Sequence, residues 1–136
     1  MNIRTSGILC VLISIACTIT AQTTSDAGWI GVWQGELDGQ PSAILTLAED
    51  TGTLEGTLVL NGISREGGQP HIAVREAHVL MHPHIDGNTL SFQVKGIRGS
   101  NDLMDFTVTL SDSGSATIHC SNCGSDAPSV PLTKES

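Results

Sequence analysis

The sequence is poor in aromatic residues and in basic residues. It has no tyrosine, its only aromatic residues are Trp29, Trp33, Phe92 and Phe106, and six Lys plus Arg stand against fourteen Asp plus Glu, for a formal net charge of −8. A protein that binds the phosphate backbone of nucleic acid needs a basic surface, and an anionic membrane surface attracts clusters of Lys and Arg. We therefore expect neither of these as a partner.

Long apolar runs are missing after the first 21 residues, so we expect no membrane span in the remainder of the chain. The N-terminus carries one positive charge and leads into an apolar stretch over residues 7–19 that is short for a membrane span and is followed by the small residue Ala21. This pattern is typical of a cleaved secretory signal. It predicts export to the periplasm or the extracellular medium.

The predicted organisation is a signal peptide over residues 1–21, a short linker over 22–28 and one domain over 29–136. An alternative cleavage site lies before Cys17, where Ser14-Ile15-Ala16-Cys17 is similar to a bacterial lipoprotein signal. In that case a lipid on Cys17 anchors the protein. Ser14 occupies the position where lipoprotein signals have leucine, and this favours simple cleavage after Ala21.

Sequence motifs for catalysis are also missing. The chain has no Gly-x-Ser-x-Gly nucleophile elbow, no Ser-x-x-Lys pair and no glycine-rich phosphate loop. We therefore expect a protein that is not an enzyme and that needs no cofactor.

Alternating apolar and polar residues are the main structural signal. Leu90, Phe92 and Val94, for example, alternate with Ser91 and Gln93, and a period of two is typical of half-buried strands. Turn signals such as Asp-Gly, Asn-Gly and Gly-Gly separate these segments, and no segment has a sustained helical period. The pattern predicts about eight strands, near residues 30–37, 42–48, 53–60, 70–80, 89–96, 103–110, 115–120 and 128–133.

Short connections favour antiparallel pairing of consecutive strands. Eight such strands can remove their exposed edges by closing into a barrel. The predicted fold is therefore all-β, an eight-stranded antiparallel up-and-down barrel. A flattened half-barrel and a two-layer sandwich are alternatives that the pattern does not separate from it.

Several segments resemble a group of small exported lipocalin-like proteins of soil bacteria. The resemblance starts at Gly31-Val32-Trp33, which is similar to the Gly-x-Trp opening of lipocalin-like barrels, and covers most of residues 29–110. The segments that carry it are Trp33–Pro41, Leu45–Leu47, Leu54–Thr57 and Ile85–Phe92. It implies an eight-stranded barrel that binds, at most, a small apolar ligand, and it implies no activity.

The barrel interior is the first candidate site. Leu37, Leu47 and Ile118 are predicted to face it, and the predicted ligand pocket consists of Trp33, Leu45, Leu58, Leu90, Phe92, Phe106 and Val108. An eight-stranded barrel either fills its interior or holds one small ligand. If side chains fill the interior, Trp33 closes one end as a plug and the function moves to the surface, with residues 62–72 and 82–84 as the expected contact region.

Cysteine and histidine residues offer two further candidates. Cys120 and Cys123 lie three residues apart after a predicted strand, and in an oxidising compartment such a pair forms a disulfide. Metal binding is an alternative, with His78, His82 and His119 as candidate ligands, but a tetrahedral zinc site needs four converging ligands. Pro83 interrupts the histidine segment, and we expect a solvated turn over residues 82–84.

Overall fold

The alternation of side chains is confirmed in a computed structural model of the chain, which describes residues 28–136. Leu90, Phe92 and Val94 are buried, whereas Ser91 and Lys95 on the same strand are exposed. The predicted signal peptide, the lipid anchor site and linker residues 22–27 lie outside the described residues.

Strands and turns make up the described part of the chain, so the all-β prediction is confirmed. Within residues 28–136 there is no helix that is long and apolar enough to cross a membrane. A 3-10 turn at Ile97–Gly99 precedes the seventh strand. The strands are β1 (Gly31–Leu37), β2 (Gln40–Asp50), β3 (Thr53–Ser64), β4 (His71–Val79), β5 (Met81–Asp86), β6 (Thr89–Lys95), β7 (Leu103–Leu110), β8 (Ala116–Cys120) and β9 (Val130–Lys134).

The nine strands form one antiparallel sheet in the order β4-β3-β2-β1-β9-β8-β7-β6-β5, curled into a half-barrel. β4 and β5 occupy the two ends of this order, although only Leu80 separates them in the chain. The Leu80 N–H donates to the Gly56 carbonyl on β3 at 3.0 Å. The sheet must therefore curl until its two ends meet at Leu80.

Two-residue turns connect the first three strands, as the turn signals in the sequence predict. Asp38 and Gly39 connect β1 to β2 with φ values of 54° and 74°, and Thr51 and Gly52 connect β2 to β3 with 49° and 81°. Positive φ at both central residues matches the twist of antiparallel strands.

The turn residue Asp38 also contacts the segment after β3. Arg65 Nε donates to Asp38 Oδ2 at 3.0 Å. This hydrogen bond and the negative charge of Asp38 raise the pKa of Arg65.

The prediction of a turn at residues 82–84 is wrong, because these residues lie in β5. Proline lacks an N–H and is tolerated in strands at edges and bulges. Both conditions hold for Pro83: β5 ends the sheet, and its register with β6 shifts between Met81 and His84. His82, at the bulge, has a φ of 51°. The count is therefore nine strands instead of eight.

Part of the expected contact region at residues 62–72 is paired in strands. β3 continues to Ser64 and β4 begins at His71, so residues 65–70 alone connect the two strands. The register between β3 and β4 shifts after Gly62. This bulge lets the ladder continue through the glycine-rich segment.

Apolar side chains fill the middle of the half-barrel. Phe92 and Phe106 are directly paired across β6 and β7, and their rings stack with centroids 5.5 Å apart. Leu45, Leu58 and Val108 are fully buried. The core is therefore packed from both halves of the sheet.

Candidate functional site

The predicted pocket residues divide into two groups. Phe106 lines an open cleft at one end of the half-barrel. The other six do not line that cleft and are at least 97% buried in the packed core. They are Trp33, Leu45, Leu58, Leu90, Phe92 and Val108.

The open cleft has a volume of about 870 Å³ and is lined mainly by apolar side chains. It combines residues from both halves of the sheet with the 3-10 turn and the segment between β8 and β9. Its apolar side chains include Leu37, Leu60, Val74, Ile97, Met104 and Phe106. Ligand pockets in proteins commonly have volumes of about 300 to 1,000 Å³ and apolar linings, so the cleft has the size and the surface of a small-molecule site.

Apolar side chains at the mouth of this cleft face solvent. Leu37 is 46% exposed and Val74 is 53% exposed. Leu37 ends β1, and Val74 lies on β4 beside Gly62, whose missing side chain leaves room for the valine methyl group. Water against these side chains is released when an apolar molecule covers them.

Two polar residues of the cleft form hydrogen bonds to main-chain carbonyl groups. Ser42 Oγ donates to the Gly35 carbonyl at 3.3 Å, and Asn61 Nδ2 donates to the Pro41 carbonyl at 2.8 Å. Asn61 Oδ1 in turn accepts a hydrogen bond from Arg75 Nε at 3.2 Å. These groups therefore position the wall of the cleft through bonds that they already make.

A polar connection joins β4 to the end of β6 and to the 3-10 turn that follows, where the sheet has no backbone ladder. Both carboxylate oxygens of Glu76 accept from the Arg98 N–H at 3.1 Å, and His78 Nδ1 lies 3.1 Å from the Lys95 carbonyl. His78 Nε2 is 3.4 Å from Glu76 Oε2. The side chains of Glu76 and His78 thus connect β4 to the end of β6 and the turn after it, which main-chain hydrogen bonds do not join.

Arg98 lines the cleft with a strained backbone. Its φ is 54°, and its neighbour Gly99 has a φ of 72°. The left-handed region costs a residue with a side chain about 1 to 2 kcal/mol. Among the described residues, no side chain forms a hydrogen bond or ion pair with the Arg98 guanidinium within 4 Å. The contact between its N–H and Glu76 offsets part of the strain.

The predicted disulfide between Cys120 and Cys123 is confirmed, with Cα atoms 5.5 Å apart. Both cysteines line the cleft. Cys120 ends β8 and is 7% exposed, whereas Cys123 is solvent-exposed. The disulfide therefore fixes the start of the segment between β8 and β9 that forms one cleft wall.

Asn122, between the two cysteines, attaches this turn to β7. Its side chain accepts from the Asp105 N–H at 2.7 Å and donates to the Leu103 carbonyl and to Asp105 Oδ2, both at 3.1 Å. The Ser121 N–H donates to the Asp105 carbonyl at 2.8 Å. The position of the turn thus depends on hydrogen bonds as well as on the disulfide.

The candidate metal ligands lie apart. His78 contacts Lys95 and Glu76, and His119 Nδ1 lies 3.2 Å from Ser129 Oγ. His82 is exposed at the bulge of β5. Within residues 28–136, no three His, Cys, Asp or Glu side chains are grouped so that they could hold a metal ion.

Sequence reasoning missed several cleft residues. Met104 and Val74 occur in strand segments that the sequence predicts, but whether they line a cleft depends on how the sheet curls. The Gly-Ile-Arg-Gly segment at 96–99 was the available signal, because two glycines around an arginine favour positive φ.

Comparison of the chain with protein-family models, curated proteins and solved structures finds no match.

Proposed function

We propose that this protein is an exported, non-enzymatic β-barrel protein that binds a small apolar ligand in the open cleft. The observation that carries the proposal is the pair of half-exposed apolar side chains, Leu37 and Val74, at the mouth of a cleft of about 870 Å³. Covering apolar surface contributes about 25 cal/mol per Å². A small molecule with an apolar body gains most of its binding energy from this lining.

The strand order supports the lipocalin-like part of the proposal. If β4, Leu80 and β5 are counted as one bent strand, the sheet has eight strands in up-and-down order. This arrangement matches the resemblance in the opening segment Gly31-Val32-Trp33. The ligand, however, is proposed to occupy the cleft at the end of the sheet instead of the packed middle.

The proposal is tested with the neutral fluorescent probe phenylnaphthylamine, whose emission rises in apolar surroundings. In the variant Leu37→Ser/Val74→Ser we expect the affinity for the probe to fall about tenfold, since about 1.4 kcal/mol of apolar contact is lost. Both positions are about half exposed in the free protein, so the fold tolerates the change.

The matched control is Leu103→Ser/Val79→Ser. Leu103 is 42% exposed and Val79 is 72% exposed, and neither lines the open cleft. We expect this variant to bind the probe like the unchanged protein. Equal weakening in both double variants, or no probe binding to the unchanged protein, would contradict the proposal.

A second candidate function is an interaction module with a filled core, and one observation favours it. Val79 is 72% exposed beside a smaller hollow of about 620 Å³ that Leu54 and Leu80 also line. Such a patch can bind a protein surface. In this case Val79→Ser removes partner binding while the affinity for phenylnaphthylamine stays unchanged.

A further inference from the structure

Three sulfur atoms meet at one wall of the cleft. Met104 Sδ on β7 lies 3.7 Å from Cys123 Sγ, which is bonded to Cys120 Sγ. All three residues line the cleft. A thioether and two cysteine sulfurs that share one accessible wall form a donor set that the separated histidines do not provide.

We propose that the reduced protein binds one Cu(I) ion through Cys120, Cys123 and Met104. Metal–sulfur bonds of about 2.3 Å place neighbouring ligands of a trigonal or tetrahedral site about 3.8 to 4.0 Å apart. The distance of 3.7 Å between Met104 Sδ and Cys123 Sγ is close to this separation. The methionine is therefore in position to complete a site with the two thiolates.

The type of donor selects the metal. Thiolate and thioether ligands are soft and favour Cu(I), whereas a structural zinc site takes four nitrogen, oxygen or thiolate ligands. No third His, Cys, Asp or Glu joins the two cysteines within the described range 28–136. The third ligand is a methionine, and this combination indicates monovalent copper.

The turn is held in place without the disulfide. Asn122 binds the Asp105 N–H and the Leu103 carbonyl on either side of Met104, and Ser121 binds the Asp105 carbonyl. None of these contacts involves a cysteine sulfur, so we expect them to remain when the disulfide is broken. The reduced cysteines therefore stay beside Met104, so little ordering is needed when the metal binds.

Formation of the site requires a dithiol reductant. A thiolate of the reductant attacks the exposed Cys123 Sγ, and its second thiol then displaces the protein, which gains two electrons and two protons as the reductant becomes a disulfide. Cu(I) binding releases the two thiol protons to water. The metal stays monovalent, so no further oxidant or reductant is involved.

The experiment is an anaerobic titration of the dithiol-reduced protein with Cu(I)–acetonitrile in competition with a Cu(I) chelator. We expect one Cu(I) per chain and, in X-ray absorption, three sulfur neighbours. The disulfide form and Cys120→Ser should not compete with the chelator. Equal Cu(I) affinity in the disulfide form, or a site of two sulfurs in the reduced protein, would overturn the proposal.

Methionine-to-leucine variants separate the role of Met104 from folding, because this exchange conserves volume. We expect Met104→Leu to bind Cu(I) at least about tenfold more weakly. Loss of a residue that only supports a metal ligand already lowers metal affinity by about tenfold or more. Met81→Leu, at a half-buried methionine on β5, is the matched control and should bind normally. Unchanged affinity in Met104→Leu, or equal loss in both variants, refutes the three-sulfur site.

This inference does not rest on the proposed binding of an apolar ligand. Phenylnaphthylamine binding is measured on the disulfide form and Cu(I) binding on the reduced form. Either result can therefore fail while the other holds.

Discussion

The indole Nε1 of Trp33 donates a hydrogen bond of 2.9 Å to the main-chain oxygen of Trp29, and both rings are 99% buried. Their centroids lie 6.2 Å apart. Lys134 Nζ lies 5.7 Å from the centre of the Trp33 ring and donates to the Gly28 carbonyl at 3.1 Å. The first described residues are thereby attached to the last strand, next to the short pairing of β1 with β9.

Trp33→Phe keeps an aromatic ring and removes the indole donor. We expect a loss of about 1 to 3 kcal/mol in the free energy of unfolding, because the buried Trp29 carbonyl is left without its partner. Trp33→Ala should cost about 3 to 5 kcal/mol, since it also leaves a cavity. Urea denaturation measures both losses. If Trp33→Phe is as stable as the unchanged protein, the hydrogen bond has no energetic role.

Gly56→Ala tests the close packing where the sheet curls. A Cβ at this position would lie 2.5 Å from the Thr46 carbonyl oxygen and 2.8 Å from Leu80 Cδ1. Overpacking typically costs about 1 to 3 kcal/mol, and we expect a loss of this size in thermal or urea unfolding.

Gly28→Ala is the control for this substitution, because a Cβ there meets nothing within 4 Å. We expect its stability to stay within about 0.5 kcal/mol of the unchanged protein. Equal stability of the two alanine variants would contradict this prediction. It would show that Thr46 and Leu80 can move away from a Cβ at position 56 with no loss in the free energy of unfolding.

Cys120→Ser/Cys123→Ser removes the disulfide. The two cysteines are three residues apart, and so short a loop restricts the unfolded chain little. We expect a loss of about 2 kcal/mol in the free energy of unfolding. The variant should still fold, because the hydrogen bonds of Asn122 remain.

Chemical denaturation with and without a reductant provides the check. The unchanged protein should lose about as much stability on reduction as the double serine variant loses, about 2 kcal/mol, and the variant should be insensitive to the reductant. Complete unfolding on reduction would contradict the stabilising role that we assign to Asn122.

The strands and the core could be predicted from residue alternation, because each strand carries its own pattern. Val94 and Val108, for example, are fully buried where that pattern places them. β5 could not be predicted in the same way. Pro83 is typical of a turn when only its neighbours are considered, and it fits a strand here because β5 is an edge with a bulge.

The candidate site was predicted in part. The spacing of Cys120 and Cys123 predicts the disulfide that the structure contains, whereas Phe106, predicted for the barrel interior, lines the open cleft. The contact between Met104 and Cys123, nineteen residues apart, has no local signal. It arises because the turn after β8 folds back onto β7.

The sequence by itself determined that the chain forms strands, which side chains face inward, apart from Leu37 at the end of β1, and where the disulfide closes. These properties depend on neighbours within a few residues. Only the tertiary structure decided that the middle is filled and that a cleft opens at one end. The physical reason is that the curl of the sheet, which brings Leu37, Val74 and Met104 to one cleft, depends on packing between strands that are distant in the chain.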